Sequence, residues 1–485
     1  MRTSFYLFVN KCVLKIKISF FLLFVISVNC LKLQAQLSIA DTNINVFLKI
    51  AKIKVTGNKH TKRYIILREM QFTEGDSIAV TTLQKELTQA KTQVYNTNLF
   101  IEVLVDTTHL LFNQIQITVK VKERWYIFPK PQFKLVDRSF NEWYKTFNAD
   151  FNRVVYGLDF KHNNFSGRRD RLSFTLLNGY ARNVSFGYSS PYSNPKLTQG
   201  FALAAGYTQN KEVGYKTSPN NLILRYTTKG FVRDNFSFGG AYSWRLGFFK
   251  RTGVAFNFDY VKVADSVITS KYNPNYFNKN TSTITYPTFS YGANYVNTDR
   301  NAYPLKGLAY SYQITKRGLG FSGGVNSTIL NGSVAKFIAH KRKLYSTIIA
   351  AAIIKAPFKQ AYINQRAIGF GKLNLRGLEV YIVDGVAAVT TNYTLSKKIL
   401  SFKIPMPFNI KALPNIPITI FAKAYTDFGY SYLPNNFKTR LNNTFLHTTG
   451  IGIDLLSFYD IVIKVEYSYN QLGQKGLFLH GGGGY

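Results

Sequence analysis

The segment Ile461–Tyr469, with the sequence IVIKVEYSY, decides the fold of this chain. Large apolar side chains occupy its odd-numbered positions, and Lys464, Glu466 and Ser468 stand between them. A period of two is typical of a β-strand, because successive side chains of a strand point to opposite faces. Charges on the minor face of an apolar strand predict a wall with an apolar exterior and a polar interior.

The same alternation runs through most of the chain. Large apolar residues between Val254 and Tyr260 alternate with Asn257 and Asp259, and Asn, Gly, Pro and Ser separate such segments from one another. At about 22 residues for each strand and its connection, residues 125–485 predict a transmembrane antiparallel β-barrel of about 16 strands. A soluble β-sandwich is the alternative that alternating strands leave open.

Composition favours a membrane barrel over a nucleic-acid-binding protein. The 485 residues include 61 Lys and Arg against 24 Asp and Glu, a formal net charge of +37, and 16% aromatic residues. Nucleic-acid-binding proteins concentrate basic residues in patches or tails, whereas here they are scattered between Tyr- and Phe-rich runs. Aromatic girdles, and basic residues that meet anionic head groups, are typical of outer-membrane barrels. We therefore expect no nucleic-acid partner.

The amino terminus has the features of a secretory signal peptide. Basic residues precede the short apolar run Ile18–Val28, and Leu33-Gln34-Ala35 follows it. We expect residues 1–35 to be the signal peptide and residues 36–48 to be a linker. The run is too short for a membrane-spanning helix, which needs about 20 residues. Cys30 leaves a lipoprotein anchor open as an alternative, although Asn29 before it fits a lipobox poorly.

Cysteine and histidine usage argues against catalysis. Cys12 and Cys30, the only cysteines, lie in the expected signal peptide, so we expect no disulfide and no thiol chemistry in the mature chain. The six histidines have no metal-ligand spacing, and no P-loop, nucleophile elbow or dinucleotide fingerprint follows a strand and opens a helix. We therefore expect no enzymatic activity, no cofactor and no metal site.

Residues 49–124 have the pattern of a small α+β domain with the order β-α-α-β-β. Ala51–Val55 alternates as a strand, Thr61 is placed to cap a short helix, and an apolar stripe from Leu83 to Val94 predicts a second helix. The last two predicted strands are Ile101–Val105 and Ile115–Val121.

This plan resembles a POTRA domain, the polypeptide-transport-associated module. The resemblance rests on the turn at Val55–Asn58, the pair Arg68-Glu69, Glu74-Gly75-Asp76 and Asn98-Leu99-Phe100. It implies a domain that binds unfolded clients. A sheet covered on one face leaves an edge strand to which an extended chain can add through main-chain hydrogen bonds. The alternative is that this edge packs against the barrel.

Three patterns in the barrel resemble motifs of the Omp85 superfamily of outer-membrane insertases and translocators. They are a turn motif with Asp299, Arg300, Pro304 and Gly307, the loop tip Leu375-Arg376-Gly377-Leu378, and the strand motif Thr426-Asp427-Phe428-Gly429. The resemblance implies that the loop near residues 369–385 folds into the lumen. It also implies that Arg376, Gly377 and Asp427 form a latch that pins this loop to the wall.

The sequence departs from the family pattern at several positions. Leu378 replaces an aromatic residue, and Thr394 replaces a glutamate, so we expect Arg376 to have one acidic partner, Asp427, and a looser latch. The chain ends in Gly481-Gly482-Gly483-Gly484-Tyr485, the expected barrel closure. A glycine-rich closing strand should pair weakly with the first barrel strand; an ordinary carboxy-terminal recognition tail is the alternative.

The resemblance implies a factor that assembles or translocates proteins at the bacterial outer membrane, with the POTRA domain in the periplasm. Its implied partners are unfolded outer-membrane or secreted clients and outer-membrane lipid, with accessory lipoproteins or periplasmic chaperones as further candidates. No nucleotide is implied, because the folding of the client into lipid supplies the energy. Two alternatives remain: a two-partner-secretion pore for one exported protein, whose relatives usually carry two such modules, and a passive porin-like barrel.

Overall fold

The computed structural model describes residues 46–135, 148, 150–319, 325–369, 371–405, 415–434, 439–457 and 460–481. The expected signal peptide, nearly all of the expected linker, and the carboxy-terminal residues 482–485 lie outside this part of the chain. In these ranges no helix is both long enough and apolar enough to cross a membrane.

A four-stranded sheet with two helices forms the amino-terminal domain. Its elements are β1 (Phe47–Thr56), α1 (Arg63–Leu67), β2 (Ser77–Ala79), α2 (Val80–Tyr95), β3 (Phe100–His109) and β4 (Gln114–Glu123). The strand order is β2-β1-β4-β3, with β1 parallel to β4 and β3 antiparallel to it. Apolar side chains such as Ile53, Ile65, Phe100 and Ile117 form the core between sheet and helices. The short strand β2 was not predicted from the sequence.

Thr61 does not cap α1, so that prediction is wrong. The helix follows Lys62, whose side chain makes no capping hydrogen bond. The Thr61 hydroxyl instead lies 3.0 Å from the Tyr126 hydroxyl and accepts a hydrogen bond from the Asn164 side chain at 3.0 Å. Local sequence cannot reveal partners so distant in the chain. The stripe predicted for α2 is confirmed, since Leu87, Ala90 and Val94 are buried.

Sixteen antiparallel strands form the second sheet, which confirms the predicted number. They are β5 (Ile127–Leu135), β6 (Val154–Asn163), β7 (Arg171–Gly179), β8 (Ala181–Ser190), β9 (Gln199–Asn210), β12 (Arg233–Leu246), β13 (Lys250–Val263), β14 (Thr283–Thr298), β15 (Gly307–Arg317), β16 (Ser327–Ala339), β17 (Leu344–Ala356), β20 (Ala387–Pro405), β21 (Asn415–Tyr432), β22 (Phe445–Leu456), β23 (Val462–Asn470) and β24 (Lys475–Gly481). Neighbours in the sheet follow chain order, and β5 and β24 are the two edges. Two small hairpins lie in the connections: β10 (Glu212–Thr217) with β11 (Ile223–Thr227), and β18 (Arg366–Ile368) with β19 (Val383–Asp384).

This sheet is strongly curved. Asn221, in the turn between β10 and β11, donates hydrogen bonds at 3.1 Å to Thr439 and Asn442 in the connection between β21 and β22. Strands β12 and β21, which adjoin these connections, have six strands between them in the sheet order. At about 4.8 Å per strand they would lie roughly 34 Å apart in a flat sheet. Contact between their connections is consistent with the curvature of a barrel wall.

Side chains on the curved sheet reverse the polarity of a water-soluble protein. Exposed positions carry large apolar groups, among them Phe186, Leu203, Phe238, Ile453 and Tyr467. Buried positions carry charges, among them Lys423, Asp427, Asp454 and Glu466. The alternation predicted for Ile461–Tyr469 is therefore confirmed, because Ile463, Tyr467 and Tyr469 are exposed while Glu466 and Ser468 are buried.

Candidate functional site

The connection between β17 and β20 folds into the curved sheet. Leu373, Leu375 and Leu378 of this connection are buried in one apolar cluster together with Leu441 and Leu446. These leucines alternate with polar positions of the loop, so burial of the apolar side chains holds the arginine between them against the wall. The tip of this connection therefore packs against the sheet, although Phe370 is outside the described residues.

Arg376, at the tip of this loop, contacts Asp427 on β21 through three hydrogen bonds. Asp427 Oδ2 accepts from the Arg376 backbone N–H at 3.0 Å and from Nε at 2.9 Å, and Oδ1 accepts from Nη2 at 2.5 Å. The Asp427 side chain is fully buried. Nη1 donates to the Thr394 hydroxyl at 2.9 Å, and the guanidinium carbon lies 3.8 Å from the ring centre of Tyr425. Each of the three guanidinium nitrogens thus has a hydrogen-bond partner.

The expectation that Arg376 has a single acidic partner is wrong. Glu466 on β23 places its Oε1 3.9 Å from Nη1 of Arg376, on the side opposite to the strand that carries Thr394. Glu466 is almost fully buried and also pairs with Lys423 at 2.5 Å, which in turn pairs with Asp454 at 2.5 Å. A second carboxylate therefore replaces the missing glutamate from another strand, and the inference of a looser latch loses its basis.

Gly377 lies too close to the wall for any other residue. Its φ is +82°, and a Cβ built on it would lie 2.6 Å from Cβ of Ser468. Its carbonyl oxygen accepts a hydrogen bond from the Asn470 side chain at 2.8 Å. The loop tip therefore packs directly on β23, and this close approach requires glycine.

Substituting Gly377→Ala is expected to displace the loop tip from β23. The change combines a left-handed backbone, which costs roughly 1–2 kcal/mol for other residues, with the clash against Ser468. Faster hydrogen exchange of the loop amides measures the displacement. Gly371→Ala is the matched control, because Gly371 also has a positive φ of +60° but has nothing within 4 Å of its Cβ position. Equal effects of the two substitutions would contradict the role assigned to close packing.

A buried ion pair joins the amino-terminal domain to the curved sheet. Glu69, directly after α1, accepts hydrogen bonds from both terminal nitrogens of Arg245, at 2.7 Å and 2.6 Å. The Tyr192 hydroxyl, from the connection between β8 and β9, donates to Glu69 at 2.7 Å. The Glu69 and Arg245 side chains are only 3% and 4% exposed. Sequence reasoning singled out Glu69 only as part of a domain motif and missed this contact.

Other turns at the same end of the sheet also contact this domain. Asn96 accepts two hydrogen bonds from Asn301, from its backbone N–H at 3.2 Å and from its side-chain amide at 2.9 Å. Arg124 donates to Asp460 in the connection between β22 and β23 at 2.6 Å. The Lys62 backbone N–H donates to the Gly167 carbonyl oxygen at 3.0 Å. Contacts to turns spread along the sheet order fix the domain across one end of the barrel wall.

The predicted turn motif from Asp299 to Gly307 is one of these contact turns. Asp299 accepts hydrogen bonds from two backbone N–H groups of its own turn, at 2.9 Å and 3.1 Å. Arg300 lies over the ring of Tyr95, with 5.8 Å from its guanidinium carbon to the ring centre, and Pro304 is buried. Gly307 has a φ of +130°. The structure therefore places this turn at the contact with the amino-terminal domain.

The residues expected to close the barrel are only partly described. Gly481 is the last residue of β24, which pairs with β23. Gly482, Gly483, Gly484 and Tyr485 lie outside the described residues, so weak pairing with the first strand stays a prediction.

A polar cavity of about 1520 Å³ lies between the two sets of contacts. Glu69, Asn96 and Arg245 line it on the side of the amino-terminal domain, and Lys372 and Arg376 line it on the side of the loop. The cavity is therefore a chamber with the docked domain at one end and the anchored loop at the other.

Comparison with known proteins identifies the amino-terminal domain. The family model described as POTRA, surface antigen variable number repeat, matches residues 48–124. A comparison with curated protein sequences finds no match.

A solved structure shares the fold of most of the chain. CdiB from Escherichia coli is 12% identical, with a TM-score of 0.55, and the alignment covers 90% of this chain and 75% of that chain. BamA from Haemophilus ducreyi lacking POTRA domains 1–3 is 15% identical, with a TM-score of 0.49, and the alignment covers 90% and 84% of the two chains. Residues 48–124 thus form a POTRA domain, and the chain joins this domain to a barrel with a fold like that of CdiB.

Proposed function

We propose that this protein is an outer-membrane factor that assembles or translocates other proteins. Its POTRA domain lies in the periplasm and captures unfolded clients, and its barrel mediates their insertion into the outer membrane. The observation that carries this proposal is the anchored loop: Arg376 is held by Asp427 inside a wall whose one end a POTRA domain contacts. A passive pore requires neither the domain nor the anchor.

The POTRA sheet supports the capture of extended chains. Strand β3 is an edge of this sheet and pairs with β4 on one side. An edge strand presents N–H and C=O groups to which an extended chain can add. Binding through the main chain places little demand on the client sequence. This chemistry suits unfolded proteins as a class better than one folded ligand.

The barrel wall supports a membrane location. Its exposed side chains are apolar and its buried ones include paired charges, the arrangement of an outer-membrane barrel. A client whose strands acquire a lipid-facing apolar surface gains free energy by leaving water. The barrel therefore needs to provide only a path and a template.

Reconstitution of the full chain into phospholipid vesicles is expected to accelerate the folding of an unfolded eight-stranded outer-membrane protein. The rate is measured by the mobility shift of the folded client on a gel. Arg225→Ala is the matched control for substitutions of the buried pair Arg376–Asp427. Arg225 also pairs with a carboxylate, that of Glu212, but this pair lies at the surface of the hairpin formed by β10 and β11. This control is expected to keep the full rate.

Two results would replace the proposal. Vesicles that conduct ions but neither bind unfolded client nor accelerate its folding indicate a passive pore. Depletion from a Gram-negative host separates the other roles: broad loss of outer-membrane proteins indicates assembly, whereas loss of one exported protein indicates a dedicated secretion pore.

A further inference from the structure

Three metal-ligating side chains from separate segments converge inside the barrel wall. Glu379 follows the loop tip, Glu466 belongs to β23 and His480 belongs to β24. His480 Nε2 lies 3.1 Å from Glu379 Oε1 and 3.2 Å from Glu466 Oε2. One ligand atom from each residue lies within 4.8 Å of the other two. We propose that these residues bind a zinc ion.

The spacing fits tetrahedral zinc. Zinc bonds to histidine nitrogen and carboxylate oxygen are about 2.0–2.2 Å long, so ligand atoms at tetrahedral angles lie about 3.3 Å apart. The two separations at His480 are close to this value. Glu379 and His480 are partly exposed and line the polar cavity. Water from the cavity can therefore take the fourth position.

The position of the His480 side chain also favours a bound ion. Its Nε2 atom is buried and makes no hydrogen bond of normal geometry to any residue in the described ranges, although two carboxylates lie close to it. An imidazole nitrogen this close to two carboxylate oxygens needs a proton or a cation between them. A cation between the three groups gives each of them a partner.

Glu466 is oriented for this role by its neighbours. Lys423 lies 2.5 Å from Glu466 Oε1, which leaves Oε2 directed at His480. Partners behind a metal ligand commonly fix its orientation in this way. The buried ligand is thus held in place before the ion arrives.

The ion would join the loop to the neighbouring strands β23 and β24. Strand β24 is an edge of the 16-stranded sheet, and Glu379 belongs to the loop anchored by Arg376. Zinc would therefore fasten the edge strand to the loop. Separation of β24 from the loop would then require loss of a metal ligand, which makes zinc a regulator of this edge.

Zinc alone, titrated into the full-length, chelator-treated protein in detergent against a chromophoric competitor, tests the site. The wild type is expected to bind one equivalent, and His480→Gln and Glu379→Gln are expected to bind it at least about 100-fold more weakly. His447→Gln removes an exposed histidine from β22 and is expected to retain the wild-type affinity. Glu466 is left intact because it also pairs with Lys423.

Hydrogen exchange of the β24 amides gives a second readout. Zinc is expected to slow this exchange in the wild type and to leave it unchanged in His480→Gln. A wild type that takes up no stoichiometric zinc overturns the proposal and indicates that a proton on His480 joins the two carboxylates. Unchanged zinc affinity in both His480→Gln and Glu379→Gln overturns it equally.

Discussion

Replacing Glu69 by alanine is expected to release the POTRA domain from the barrel and to lower the opening free energy of α1 by about 3–5 kcal/mol. The carboxylate is buried and receives hydrogen bonds from Arg245 and Tyr192. Its removal leaves the buried Arg245 guanidinium without a counter-charge, which is the costly way to break a buried pair. Native-state hydrogen exchange of the Ile65 and Ile66 amides measures the loss.

Two variants control this experiment. Arg63→Gln breaks a surface pair with Glu74 in the same domain and is expected to change little, because exposed pairs contribute little. The double variant Glu69→Leu with Arg245→Met is expected to recover much of the loss, because apolar residues often replace a buried ion pair without cost. Unchanged exchange of α1 in Glu69→Ala would show that other contacts hold the domain.

The same ion pair gives the docking a defined pH dependence. Burial by itself would raise the pKa of the Glu69 carboxyl, but the hydrogen bond and charge of Arg245 outweigh it and lower the pKa from 4.5 to about 2. The stabilisation is therefore fully present above pH 4.5 and is lost as the pH falls towards 2. The wild type should lose protection of α1 across this window, and Glu69→Ala should lack this component.

Arg376→Ala and Asp427→Ala are each expected to lower the rate of client folding by at least about 10-fold, a loss of roughly 1.4 kcal/mol in transition-state stabilisation. Each substitution leaves its partner without the opposite charge inside the wall, where such a charge is costly. Because the two residues hold the loop as one unit, the double variant is expected to be little worse than either single variant. The reconstituted folding assay measures all three.

Thr394→Val is a milder substitution to compare with Arg376→Ala and Asp427→Ala. It removes one neutral hydrogen bond to Arg376 and leaves the ion pair, so we expect a loss of about 1 kcal/mol at most. Hydrogen exchange of the loop amides should follow the same order as activity. Fully additive losses for Arg376→Ala and Asp427→Ala would show that the two residues act separately.

Local periodicity predicted most of the strands and the long helix, and composition favoured a barrel over a soluble sandwich. Alternation in segments such as Ile461–Tyr469 has a period that only a strand satisfies, and the charges on its minor face predict which face is inside. The helical stripe from Leu83 to Val94 similarly predicts α2. The contact of Arg376 with Asp427 came from family resemblance, because nothing local relates a loop residue to a strand that follows it much later.

The remaining contacts depend on where strands stand around the wall. Alternation shows that Glu466 faces inward. It does not show how far along the barrel axis Glu466 lies or which side chains surround it, so its approach to Arg376 could not be predicted. Glu69 and Arg245 meet across two domains, and their sequence separation of 176 residues leaves no local signal. Thr61 is a residue type that often caps helices, but its hydroxyl forms a hydrogen bond with the distant Tyr126 instead.

The polar chamber between the POTRA domain and the loop has a consequence for electrical measurements. Ions that cross the barrel would pass the docked domain and the anchored loop one after the other. We therefore expect removal of Glu69 alone or of Arg376 alone to change the conductance little. We expect a large steady current only when both contacts are lost.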